Sequence, residues 1–120
     1  MAAHPPAPRP LARLRRRAEF LAAAKGLSRP SGAVVVQARD RGDGSAEVRL
    51  GFTATRRIGG AVRRNRAKRR LREAARIVAP LHARGGCDYV FIARLGTGER
   101  PWARLLDDIK NALVRLAAEL

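Results

Sequence analysis

Between Arg56 and Arg76 the chain carries ten basic residues (Arg56, Arg57, Arg63, Arg64, Arg66, Lys68, Arg69, Arg70, Arg72 and Arg76) against Glu73 alone, a net +9 in 21 positions. No other segment limits the fold as much, because the same stretch has a helical period. At 100° per residue Ala67, Leu71, Ala74 and Val78 fall on one stripe. Asn65, Arg69, Arg72 and Arg76 fall on the opposite one, with Arg66 and Lys68 along the flanks. The spacing predicts a helix from Gly60 to about Ala79, ending before Pro80, that packs along one side and is charged along the other. Like charges three or four residues apart destabilise a helix by about 0.2 to 0.5 kcal/mol per pair. A core must therefore hold the apolar stripe, and something outside the helix must answer the charge.

The rest of the chain offers such a core. Leu11 to Lys25 consists of good helix formers, with Leu14, Ala18, Leu21 and Ala22 at helical spacing and Gly26 as a stop, and predicts a first helix. The β-branched run Ala33 to Ala38 and the alternating run Glu47 to Thr55 read as strands. The turn-forming stretch Asp40 to Ser45 between them predicts a hairpin that makes the two strands antiparallel neighbours. Ser28 to Ser31 can add a short edge strand. Gly59 and Gly60 read as the turn before the charged helix. After Pro80, Asp88 to Ala93 is a buried strand, and Pro101 opens a last helix with an apolar face through Trp102, Leu105, Leu106, Ile109, Leu113, Leu116 and Leu120. The expected class is α+β, an α/β sandwich in the order α-β-β-β-α-β-α when the edge strand is counted. Residues 1–10, with Pro5, Pro6, Pro8 and Pro10, are expected to form a disordered leader, and 11–120 a single domain.

Net charge narrows the partner. With 26 Lys and Arg against 10 Asp and Glu, the chain stands at +16, which calls for a polyanion, although a count alone does not separate RNA from DNA or an anionic membrane. Arginine predominates, and its planar fork makes bidentate bonds to phosphates and base edges and stacks on unpaired bases, so structured nucleic acid is the favoured partner. One cysteine, Cys87, excludes an internal disulfide framework and a cysteine-rich zinc knuckle. No run approaches the roughly 20 apolar residues of a membrane span. An active site for nuclease chemistry is also hard to find: the acids are dispersed, the adjacent Asp107 and Asp108 point apart on a helix, and His4 and His82 lack partners.

The ordered string Arg56-Arg57-Ile58-Gly59-Gly60-Ala61-Val62-Arg63-Arg64-Asn65-Arg66-Ala67-Lys68-Arg69-Arg70-Leu71-Arg72-Glu73-Ala74 resembles the signature of the ribonuclease P protein family. The likeness continues through Glu19-Phe20, Arg49 to Phe52, Asp88 to Arg94 and the closing leucine-rich helix. It implies a fold like the second domain of ribosomal protein S5, with a left-handed β-α-β crossover. It also implies a subunit that joins a catalytic RNA to remove the 5′ leader of precursor tRNA, with no catalytic residue in the protein.

By that resemblance Arg64, Asn65, Arg66, Lys68, Arg69 and Arg72 contact the catalytic RNA, while Phe20, Arg56 and Arg57 hold the single-stranded leader. Phe20 reads as readily as the core anchor of its helix. The implied partners are ribonuclease P RNA and precursor tRNA, with no membrane and no obligate protein partner, in the cytoplasm. Mg2+ is used by the RNA-containing holoenzyme, and no metal site is expected in the protein. Two positions depart from the family pattern: Gly60 stands where Asn is common, and Gln37 where an aromatic residue often faces the cleft. A ribosomal or general RNA-binding module would share the charge and size, and a protein-only nuclease is the other competing class.

Overall fold

The most apolar run of the chain takes the middle of a five-stranded sheet in the computed structural model, which describes residues 8–120. In chain order the strands are β1 (Leu11–Arg13), β2 (Leu27–Ser31), β3 (Val34–Asp40), β4 (Val48–Thr53) and β5 (Cys87–Ala93). The helices are α1 (Arg17–Ala24), α2 (Ala61–His82) and α3 (Trp102–Glu119). Across the sheet the order is β1-β4-β5-β3-β2. β5 pairs antiparallel with β3 and parallel with β4, Val36 lying opposite Phe91 on one side and Phe52 opposite Phe91 on the other. β2 closes one edge antiparallel to β3, and β1 closes the other parallel to β4.

Alternation along the strands gives each face its helices. Val34, Val36 and Ala38 of β3, Val48 and Leu50 of β4, and Tyr89 and Phe91 of β5 point to one side and are buried with α2 and α3. α2 contributes Ala67, Leu71, Ala74, Ala75 and Val78, mostly small residues that let its backbone lie close, and α3 contributes Leu105, Ile109, Leu113 and Leu116. The other face, with Val90 and Ile92, carries α1 through Phe20 and Ala23, with Leu14 of the segment leading into it. The fold is thus α+β with helices on both sides of the sheet.

Three expectations are corrected. The segment 11–25 is not one helix: Leu11–Arg13 adds a strand ahead of α1, so the order is β-α-β-β-β-α-β-α rather than α-β-β-β-α-β-α. Arg13, Arg15, Arg16 and Arg17 would crowd like charges into little more than one turn, whereas the free edge of β4 offers backbone partners, Leu14 N–H reaching the Leu50 carbonyl at 2.9 Å. The strands around Asp40 to Ser45 do not form a hairpin. β5, buried along all but one of its residues, needs both edges covered and enters between β3 and β4. The connecting loop wraps its start, Arg41 N–H bonding the Gly86 carbonyl at 3.0 Å and Gly86 N–H bonding the Glu47 carbonyl at 3.1 Å. The charged helix runs through Pro80 to His82. Val78, Ala79 and Ala83 are buried there, so packing outweighs the missing N–H so near the helix end. Gly59 and Gly60 do form the turn before α2; the φ of 137° at Gly59 requires glycine there, whereas Gly60 has φ −72° and a Cβ on it would meet nothing.

The edge strand at Ser28 to Ser31 is present as β2. The leader expected over 1–10 lies, for residues 1–7, outside the described residues; Arg9 N–H bonds the Pro80 carbonyl at 2.9 Å.

Candidate nucleic-acid interface

α2 divides as its sequence period requires. Ala67, Leu71, Ala74 and Val78 are buried, while Asn65, Arg66, Arg69 and Arg76 are exposed and Arg64, Lys68 and Arg72 half-buried. Asn65, Arg66, Lys68, Arg69 and Arg72 come together with Val62 along one groove of about 520 Å³. Arg64, the sixth residue expected there, stands outside that lining.

The ten basic residues are not equivalent. Arg70 is spent inside the molecule: its guanidinium donates to the Thr97 carbonyl at 2.6 Å and the Arg100 carbonyl at 2.5 Å and lies 5.8 Å from the centroid of the Trp102 ring, fixing the turn before α3. Arg72 reaches over Phe52 at 5.8 Å, and Phe52 in turn stacks on Phe91 at 5.3 Å. The Arg72 guanidinium lies over this strand of the sheet, and the same side chain lines the groove. Among the described residues the Nε atoms of Arg64 and Arg72 are shielded without a hydrogen-bond partner. Asn65 makes no side-chain hydrogen bond among the described residues, so it is free to bond outward rather than hold its neighbours.

On the opposite face Phe20 is half-buried against Leu14, Ala23, Val90 and Ile92. Its ring lies over Gly51 so closely that a Cβ there would stand 2.5 Å from Phe20 Cε1. Arg57 lines a groove of about 680 Å³ with Thr55, Ile92, Arg94 and Leu95. Ile92 belongs to both, so Phe20 and Arg57 share one sheet face, whereas Arg56 is exposed on the turn Arg56–Ile58 and does not line that groove. Gln37, opposite Val90 and half-buried, points to the same face. Arg94 was missed as a site residue: it follows the strand as a lone charge, with no periodic signal of its own.

Charge adds to the apolar contacts of Phe20 and Ala23 in holding α1 on this face. Glu19 accepts the Arg16 N–H at 2.9 Å and the Arg15 N–H at 3.3 Å and pairs with Arg49. The Arg16 bond above all keeps its carboxyl below the usual carboxylate range, and Arg49 acts in the same direction. Arg49 also forks onto the buried Asp88 at 2.7 and 2.6 Å, and Arg41 reaches Asp88 at 2.8 Å.

Three further buried titratable groups, Asp108, Cys87 and Tyr89, have structural partners. Asp108 is buried and bonds Ala33 N–H at 3.0 Å and Arg100 Nε at 2.9 Å, while Asp107 is exposed. Burial raises the Cys87 thiol, and burial pushes Tyr89 up to about 12, its hydroxyl accepting the Arg84 N–H at 2.9 Å. Among the described residues no three His, Cys, Asp or Glu side chains gather to hold a metal, and no helix is long and apolar enough to cross a membrane.

The family model described as Ribonuclease P matches residues 9–117. The ribonuclease P protein component of Caulobacter vibrioides (strain NA1000 / CB15N) is 67% identical over 108 residues, covering 90% of this chain and 72% of that protein. The protein of the same name from Ruegeria pomeroyi is 52% identical over 107 residues, covering 88% and 86%. Among solved structures, the ribonuclease P protein from Thermotoga maritima superposes with a TM-score of 0.72 at 31% identity, covering 86% of this chain and 96% of that one.

Proposed function

Since this chain belongs to the bacterial ribonuclease P protein family, and is thereby the protein subunit of the holoenzyme that matures the 5′ ends of precursor tRNA, we propose how its two faces divide that work. The α2 face docks the catalytic RNA through Arg64, Asn65, Arg66, Lys68, Arg69 and Arg72. The α1 face holds the leader of precursor tRNA through Phe20 and Arg57, with Arg56 at its rim. What carries this reading is the groove in which Asn65, Arg66, Lys68, Arg69 and Arg72 converge, without a carboxylate in its lining. Arginines so placed suit phosphate oxygens, and counterion release supplies affinity. The partnerless Nε atoms of Arg64 and Arg72 add to it, because a phosphate that drew these side chains outward would relieve their desolvation.

On the other face, a base stacking on Phe20 and phosphates meeting Arg57 and Arg94 would hold a single strand with little sequence preference. With Gln37 in place of an aromatic, the platform offers an amide instead of a second ring. The chemistry belongs to the RNA in this reading, which also supplies the ligands of Mg2+; the protein's part is to bind and position. The β4-α2-β5 connection is taken to be the left-handed crossover of the S5-like fold, and the cytoplasm is the compartment.

The test is reconstitution. Added to a bacterial ribonuclease P RNA at low magnesium, the purified chain should restore cleavage of precursor tRNA that the RNA alone performs poorly. Absence of stimulation across several such RNAs would argue for a general RNA-binding module, and cleavage by the protein alone would move the chemistry into the chain.

A further inference from the structure

Three grooves join end to end around one edge of the sheet. The groove along α2 includes Arg72. Arg72 also lines a second groove, of about 200 Å³, together with Arg76, Phe52 and Arg13 of the edge strand β1. Arg13 in turn lines a third, of about 510 Å³, with Arg15, Arg16 and Arg49 at the start of α1. An arginine is shared at each junction, so the three make one track from the α2 face over β1 to the head of α1.

The charge on that track is not answered from within. Among the described residues Arg13, Arg15, Arg16 and Arg76 form no salt bridge. Among the described residues the one acid lining it is Glu19, whose carboxylate is already taken by two backbone N–H groups and by Arg49. Arg13, Arg15, Arg16 and Arg76 are all exposed. Four unpaired guanidinium groups along one path repel one another unless an anion follows the same path.

We propose that the surface docking the catalytic RNA extends along this track, so that one continuous run of its sugar-phosphate backbone, leaving Arg69 and Arg72, is held next by Arg76 and Arg13 and then by Arg15 and Arg16. This rests on the reading of α2 as the RNA-docking face. Continuity selects the occupant: the track shares Arg72 with the α2 groove but no lining residue with the groove of Arg57 assigned to the leader. Because β1 is an edge strand, its outward backbone groups can add hydrogen bonds to phosphate or ribose.

The experiment measures binding of the full chain to a bacterial ribonuclease P RNA, without precursor, over a range of salt. Arg13→Gln with Arg76→Gln should flatten the slope of log K against log salt by about 1.4 to 1.8, since each neutralised phosphate contributes about 0.7 to 0.9. The holoenzyme's preference for a long-leader over a leaderless precursor should not change. Should the edge substitution disturb β1, Arg15→Gln with Arg16→Gln, placed before the helix, must give a comparable flattening. An unchanged slope in both pairs, beside a clear loss in Arg66→Ala/Arg69→Ala, overturns the extension alone. A defect confined to leader-length dependence also overturns it, by giving the track to the leader. If the α2 variant too binds as the parent does, the reading of α2 fails first and the extension with it.

Discussion

Gly51 sits mid-strand in β4 where a side chain would ordinarily project toward α1, and the Phe20 ring fills that space instead. Gly51→Ala must push the ring away, since the added carbon would stand 2.5 Å from Phe20 Cε1 and 3.0 Å from Leu14 Cδ1. Phe20 lies outside the main core, so the domain should still fold while its leader contact suffers. The expected cost is about 1 to 3 kcal/mol of leader affinity, the range for losing one base stack, seen as a weakened advantage of long-leader precursors with catalytic-RNA binding unchanged. An undiminished leader effect would return Phe20 to a purely structural role. Phe20 could be singled out in the sequence by family likeness, but Gly51 could not, because a strand glycine has no periodicity and its meaning depends on what crosses above it. The arginine run was legible as a face but not residue by residue: nothing in the spacing distinguishes Arg70, bonded to two carbonyls, from Arg69, which lines the groove.

At the scale of the element, α1 is the weakest part of the molecule. Eight residues make a helix too short to persist alone, and of its own side chains only Ala23 is fully buried. Its seat therefore leans on Glu19, whose pKa is lowered in the folded chain chiefly by the Arg16 N–H. A lowered folded value favours the carboxylate, so the stabilisation is complete above the ordinary glutamate value of about 4.3 and is lost as pH falls through the lower folded value. Amide exchange in α1 should rise as pH falls through that window before the rest of the sheet opens, after correction for the intrinsic pH dependence of exchange, and Glu19→Gln should show the loosened helix already at neutral pH. Equal protection of α1 and β5 throughout would contradict this. Apart from β1, which read as part of the first helix, strand and helix identities were legible from period and composition, including the short β2. Neighbour relations were not, because the Asp40 to Ser45 turn chemistry fits a hairpin and a loop spanning an inserted strand equally well. The end of α2 at His82 was hidden for a similar reason: a proline signals a stop locally, and the burial of Val78, Ala79 and Ala83 that carries the helix past it is tertiary.

For the whole molecule, one sheet separates two tasks. The face covered by α2 and α3 holds nearly all the core and turns an arginine surface outward, while the face under α1 stays lightly covered and open to a single strand. A net +16 is tolerable because little of it is buried, and the carboxylates that are buried, Asp88 and Asp108, are each matched to arginine. The central claim is that α2 packs by one stripe and binds RNA by the other. Its most direct measurement sets melting temperature beside the salt dependence of catalytic-RNA binding for Arg66→Ala/Arg69→Ala and for Leu71→Ala. Arg66 and Arg69 are exposed and without partners among the described residues, so their loss should flatten the salt slope by about 1.4 to 1.8 while the melting temperature holds or rises. Leu71 is fully buried, and its truncation should cost about 2 to 5 kcal/mol of stability with the slope retained in the folded fraction. A double arginine variant that unfolds yet binds as tightly per folded molecule, with a Leu71 variant that keeps its stability, would mean the two stripes have been assigned the wrong way round.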